Sequence, residues 1–318
     1  MLLQSLTRKR IHTRDNPLHS LLSQRRRPAL LRSRHMEVTP SKRKRPTCSS
    51  CSKPARLCLC TRIQTPPLEN SVGVTILQHS LETKHALNST RIAKLGLKNL
   101  TLATVFDVDT EARLVIRLLE SGSGHYPETH KLVDGVSKRE KVGGFVLKQF
   151  PKISQKIDQI LASEAAIDDF SKGFVVKKLN HEQEEEFEIE VTAGSVLLYP
   201  SEKAMGVDDL KAMNYDVQNL IVLDGTWAKA KRMYVENPWL ELLPHLKLEV
   251  EKMSLYGEVR KQPKAGCFST IESIVYALKA LGENSKELDN LLNVFQSMVG
   301  DQRRCKEERL SNVSVSPM

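Results

Sequence analysis

Leu220-Ile221-Val222-Leu223 is a short run of branched apolar residues. It ends on Asp224-Gly225-Thr226-Trp227 and passes directly into Ala228-Lys229-Ala230-Lys231-Arg232. The run reads as a buried strand, and the polar break before a basic, alanine-containing segment reads as a tight turn into a helix. A strand, turn and helix of this kind belong in an open α/β sheet, where ligands sit beyond the carboxyl ends of the strands. Asp224 would stand at that crevice. Gly225 permits a positive φ or a close approach of ligand to backbone. Thr226 can cap the helix, whose first amides attract a negative group. Trp227 offers a flat ring on which a base can stack. The same four residues also suit an ordinary capped turn with no ligand.

The rest of the chain supplies partners for such a sheet. Residues 72–77 read as a strand, and Gln78-His79-Ser80-Leu81-Glu82-Thr83 as the turn into a helix running to about Leu95 and closed by Gly96. Residues 100–106 read as a second strand and residues 111–120 as an amphipathic helix. This β-α-β-α opening is typical of a parallel sheet covered by helices. Residues 121–194 read as a long insertion, with a short helix near 153–161 and a strand pair near 174–179 and 187–191. The acidic run at 182–190 reads as a solvated edge. Residues 195–199 form a strand again, left through Pro200-Ser201-Glu202-Lys203-Ala204. A short helix bounded by Pro238 and Pro244 precedes a strand at 246–250. Ser269-x-x-Glu272 is a capping box, and Ile271, Ile274, Val275, Leu278 and Leu281 form the apolar face of the helix it opens. A last helix is expected over 285–299, with a loose tail at 301–318.

Charge and cysteines narrow the class. Residues 1–47 hold 13 Lys or Arg against Asp15 and Glu37, so a formal charge of +10 leaves −1 for the remainder. The high pI is thus a property of a basic, acid-poor arm, which is expected to be disordered and to attract polyanions such as nucleic acid. Within it, the Arg- and Ser-rich start resembles an organellar transit peptide, and Lys42-Arg43-Lys44-Arg45 resembles a nuclear import signal or nucleic-acid patch. The expectation is nucleus or cytoplasm, with an organelle as the alternative. No run of about 18 apolar residues exists, so no membrane span is expected. Four of the six cysteines crowd into Cys48-x2-Cys51-x6-Cys58-x-Cys60. Their flanks are poor in apolar residues, so a tetrahedral, structural zinc is expected to fold this segment. Such clustering argues for a reducing compartment rather than a disulfide scaffold.

Asp224-Gly225-Thr226-Trp227 resembles the Asp-x-Thr-Trp signature of the DTW-domain family, a SPOUT-like group of RNA-modifying enzymes. Four further stretches resemble that family in the same order. These are the cysteine knuckle; Gln78-His79 to Glu82 with Asn88-Ser89-Thr90-Arg91, where Ser80 replaces a proline; Leu198-Tyr199-Pro200-Ser201 to Ala204; and Phe268-Ser269-Thr270-Ile271-Glu272-Ser273, where Phe268 replaces Leu and Ser273 replaces Ala. The resemblance implies an α/β fold with a SPOUT-like knotted parallel sheet flanked by helices over 69–300. A zinc knuckle at 47–68 and a basic tail at 1–46 would precede it. The implied activity is tRNA-uridine aminocarboxypropyl transfer, from S-adenosyl-L-methionine to N3 of a loop uridine, with release of methylthioadenosine.

The same resemblance places Leu198, Tyr199, Pro200, Ser201, Gly225, Ser269, Thr270 and Glu272 around the donor. It places Asp224, Thr226 and Trp227 at the reacting atoms, with Asp224 as a base, as the group that orients N3–H, or as a counter-charge to the sulfonium. His79, Arg91, Lys229, Lys231 and Arg232 are candidate contacts to tRNA, although His79 equally suits a structural role and exposed helix cations are commonly only solvated. Two other readings stand beside it: a SPOUT-type RNA methyltransferase, which would release S-adenosylhomocysteine, and a non-catalytic zinc-containing RNA-binding protein. The sequence carries no signal for an oligomeric state.

Overall fold

Among the described residues, the apolar runs become nine strands. The computed structural model describes residues 46–107, 112–119, 144–148, 157–180, 182, 184–260, 262, 266–283 and 285–314. In chain order the strands are β1 (Gly73–His79), β2 (Leu100–Val105), β3 (Arg113–Leu118), β4 (Gly144–Lys148), β5 (Gly173–Leu179), β6 (Glu185–Thr192), β7 (Ser195–Leu198), β8 (Asn219–Asp224) and β9 (His245–Leu246). Five of them form a sheet in the order β2-β1-β8-β7-β9, with every pairing parallel. The other four form an antiparallel sheet in the order β4-β3-β5-β6. The α-helices whose full extent is described are α1 (Thr90–Gly96), α2 (Glu164–Ser171), α3 (Val207–Ala212), α4 (Trp227–Glu236), α5 (Thr270–Ala280) and α6 (Lys286–Ser314).

Side chains alternate across a strand, so the parallel sheet feeds two cores. Val74, Ile76, Val196, Leu220 and Val222 face one way and pack with residues of α1, α5 and α6. Leu77, Leu197 and Ile221 face the other way and pack with Met233 of α4, Trp239, and the inner faces of β3, β5 and β6. Burial on both faces explains why β1 and β8 read as continuous apolar runs. Cys51 and Leu59 join the first of these cores, so the cysteine segment is packed on the domain rather than appended to it.

Several expectations are corrected. The helix expected up to Leu95 is a 3-10 turn, Ser80–Glu82, then irregular chain, and α1 begins only at Thr90. Side chains take the carbonyls a helix would have used: Asn88 Nδ2 donates to Glu82 O (3.0 Å), Arg91 to Thr83 O (2.9 Å) and Thr83 Oγ1 to Ser80 O (2.7 Å). The helix expected at 111–120 is strand β3, where Leu114 and Ile116 alternate into the core. The strand expected at 246–250 stops at Leu246, because its ladder partner β7 ends at Leu198 before Pro200 and the pairing on its other side is a single bridge to Met205. The strand pair of the insertion is present as β5 and β6, but Glu186 of the acidic run is half-buried, paired with the buried Lys178 at 3.0 Å. Residues 157–161 are helical, as expected for the end of the 153–161 segment.

The last helix runs on to Ser314 in place of a loose tail. Asp301 anchors this extension, accepting Arg62 of the cysteine segment at 2.6 Å and pairing with Arg304. The basic arm up to residue 45, with its transit-like and import-like runs, lies outside the described residues, as does 120–143.

Helix α1 crosses α6 where Gly96 meets Leu291. A Cβ at position 96 would lie 2.1 Å from a Leu291 methyl carbon. Gly96→Val is therefore expected to destabilise the chain by about 1–3 kcal/mol through overpacking, read as a lowered urea midpoint at unchanged slope.

Candidate active site and zinc centre

Three strand ends and two helix starts meet at the carboxyl edge of the parallel sheet. They enclose a cavity of about 560 Å3, within the range of small-molecule sites. Residues 198–200 after β7, 222–228 from β8 into α4, 246–248 after β9 and 266–270 entering α5 all line it. Asp224 closes β8 and is 6% exposed. Strand register sets Gln78 of β1 beside it, and Gln78 Nε2 donates to Asp224 Oδ2 at 2.7 Å. Thr270 Oγ1, at the first position of α5, donates to Oδ1 at 2.5 Å. Both carboxylate oxygens are thereby oriented by donors from different elements.

The two helices open onto the same space. Thr226 caps α4 by accepting from Lys229 N at 3.3 Å, and Ser269 caps α5 by accepting from Glu272 N at 3.3 Å. First-turn amides lack intrahelical acceptors, so both starts favour a negative group. Gly225 is not in a positive-φ conformation. Its value is close approach, since a Cβ there would lie 3.1 Å from Lys229 Cβ. Leu198, Val222, Leu246 and Leu248 give apolar wall, and Trp227, 43% exposed, stands at the mouth. Arg260 lines the cavity with its guanidinium 5.7 Å from the centre of the Tyr256 ring. Tyr256 donates to Leu87 O at 2.5 Å, and burial pushes its hydroxyl well above the usual range. A second carboxylate, Glu82, lines the cavity and pairs with Lys229 at 3.1 Å.

Of the residues expected around a donor, Leu198, Tyr199, Pro200, Gly225, Ser269 and Thr270 line the cavity with Asp224, Thr226 and Trp227. Two do not. Ser201 hydrogen-bonds His245 Nδ1 at 2.6 Å, and His245 Nε2 donates to Leu240 O at 3.0 Å, an arrangement in which burial lowers the imidazole's pKa. Glu272 is fully buried and accepts from Ser254 Oγ, Leu255 N and Ser269 N, so it ties the 254–255 loop to the start of α5.

The candidate RNA contacts mostly face protein. His79 is 1% exposed, accepts from Leu81 N through Nδ1, and donates through Nε2 to Asp107, whose carboxyl it holds below the usual range. Arg91 donates to Thr83 O, Lys229 to Glu82, and Arg232 to Glu236 and Asp107. Lys231 is exposed on α4.

Cys48, Cys51, Cys58 and Cys60 bring their sulfurs within 4.8 Å of one another. The Cys48–Cys60 and Cys51–Cys58 separations are 3.7 and 3.8 Å. Four sulfurs about 2.3 Å from a tetrahedral zinc lie about 3.8 Å apart, so the set fits that ion and leaves no open position for chemistry. The amides of Cys51 and Ser50 pull the Cys48 thiol down to about 6, while burial pushes the Cys60 thiol up to about 12. Leu59 N donates to Cys51 Sγ at 3.5 Å. Lys53 Nζ reaches Ala86 O at 2.5 Å, joining this centre to the 83–91 wall of the cavity.

The family model of the DTW domain matches residues 45–303. The chain belongs to the DTW-domain family. Curated relatives include tRNA-uridine aminocarboxypropyltransferase 2 of Macaca fascicularis, 24% identical over 286 residues that cover 87% of this chain and 72% of the relative. The protein of the same name from Drosophila melanogaster is 26% identical over 78% of this chain and 71% of its own length. tRNA-uridine aminocarboxypropyltransferase A of Arabidopsis thaliana is 22% identical over 82% of each chain. No solved structure matches significantly.

In this DTW domain, sequence reasoning passed over Gln78, Glu82, Asn88, Tyr256 and Arg260 as site residues. Gln78 and Glu82 sit in a stretch that resembles the family, and aligning β1 with β8 by their apolar runs would have set Gln78 against Asp224. Tyr256 and Arg260 come from an irregular loop with no periodicity to announce them. Metal analysis of the purified chain is expected to find one zinc per molecule. Chelation, or Cys51→Ser, is expected to raise amide exchange across 83–91 by at least about tenfold with a smaller change in β8.

Proposed function

We propose that this DTW-domain protein is a tRNA-uridine aminocarboxypropyltransferase that takes its group from S-adenosyl-L-methionine. Support comes from the names of the curated relatives, which cover most of the chain. The observation that carries the reading is the carboxylate of Asp224, fixed at the end of β8 in a cavity onto which two helix starts open. When bound, this donor supplies a sulfonium-activated 3-amino-3-carboxypropyl group and leaves as methylthioadenosine.

The residues divide the task by chemistry. The amides that start α4 and α5, with Arg260, suit the donor's carboxylate. Leu198, Val222, Leu246 and Leu248 suit its adenosine. Asp224, with both oxygens engaged by neutral donors, serves as an oriented negative charge toward the sulfonium rather than as a mobile base. Trp227 stacks the target uridine at the mouth. N3 lies on the Watson–Crick edge, so the base must be unpaired and turned out of its stack, which a tRNA loop allows. Lys231 and the basic arm supply contacts to phosphate.

Zinc-loaded protein incubated with S-adenosyl-L-methionine and tRNA is expected to yield a uridine heavier by one aminocarboxypropyl group, together with methylthioadenosine. Release of S-adenosylhomocysteine would identify methyl transfer instead. Asp224→Asn is expected to slow turnover by about 10²–10³ with its circular dichroism unchanged.

A further inference from the structure

We propose that Glu82 is the group that takes the N3 proton of the target uridine; this rests on the aminocarboxypropyl-transfer reading above. The cavity holds two carboxylates, and they differ in what is left of them. Asp224 has a donor on each oxygen. Glu82 lines the cavity, is buried, and has Lys229 on Oε1 alone; no donor among the described residues reaches its other oxygen. A proton acceptor needs a lone pair left free for the substrate.

The placement of Glu82 is built in. His79 caps the 3-10 turn that carries it, Asn88 holds its carbonyl at 3.0 Å, Arg91 donates to the carbonyl of the next residue, Thr83, and the Thr83 hydroxyl donates back to Ser80 O. Lys229 does not line the cavity but backs the carboxylate, and it lies two residues after Trp227 on α4. Trp227 and Glu82 line the same cavity, so a base stacked on the Trp227 indole lies in the space onto which the carboxylate opens.

As the N3–carbon bond forms, the N3–H becomes steeply more acidic, so a weak but well-aimed acceptor suffices. In the step, the carboxylate oxygen takes the proton and the N3 electron pair makes the N–C bond. The C–S bond breaks with its pair on sulfur, which becomes a neutral thioether, and Glu82 then returns the proton to solvent. The same carboxylate discriminates bases: cytidine N3 has no proton and would set a lone pair against it.

The test uses the full chain with its zinc. S-adenosylhomocysteine affinity is measured by calorimetry, and single-turnover transfer is followed against pH on a tRNA and on the same tRNA carrying 5-fluorouridine, whose N3–H is more acidic. Glu82→Gln is expected to bind S-adenosylhomocysteine within threefold of wild type and to transfer at least about 100-fold more slowly. Its deficit should shrink at high pH and with 5-fluorouridine, and Glu82→Asp should recover part of the rate. The proposal is overturned if Glu82→Gln transfers within threefold of wild type, if it loses S-adenosylhomocysteine binding, or if its deficit is the same for both tRNAs at every pH. A wild-type protein that binds S-adenosylhomocysteine but transfers nothing to any tRNA would instead remove the reading beneath it.

Discussion

The carboxylate of Asp224, gripped between Gln78 and Thr270, is the interaction on which the site depends. It joins three elements distant in sequence. Parallel pairing of β1 with β8 sets Gln78 opposite Asp224. The capping box at Ser269 and Glu272 fixes the first turn of α5 and so the position of Thr270. Glu272 then reaches the 254–255 loop, from which Tyr256 crosses to Leu87. A shift in any of these would leave a buried carboxylate short of a donor, which is costly in a low-dielectric setting.

The four-cysteine cluster enters the same network from behind. Cys51 and Leu59 belong to the core shared by α1, α5 and α6. Lys53 and Arg91 donate to carbonyls at 86 and 83, in the irregular wall that also presents Glu82. Arg62 reaches across to Asp301 and keeps α6 helical beyond the end of its apolar face. A metal held by these four thiols would shape the wall of the cavity through backbone carbonyls, which a segment so poor in apolar residues could not do by burial alone.

Legibility followed locality. The strand ending on Asp224, the Thr226 cap, the Ser269 capping box and the convergence of four thiols each depend on residues a few positions apart, and all are present. The misreadings share one cause. At 83–89 the helix lost to side-chain bonds from Asn88 and Arg91, and at 113–118 a sequence with helical promise became a strand because β5 offered a ladder. His79, Ser201 and Glu272 are polar residues in stretches that resemble the family, yet they turn away from the cavity to hold its frame.

Read alone, the chain settled the strand that ends on Asp224, the caps of the two helices beside it and the chemistry of its clusters, because those follow from periodicity and from short-range hydrogen bonding. Only the folded structure decided which polar groups share the cavity. That choice belongs to strand register and to side chains bonding carbonyls far from their own position, and a shift of one residue in register would send every such group to the opposite face.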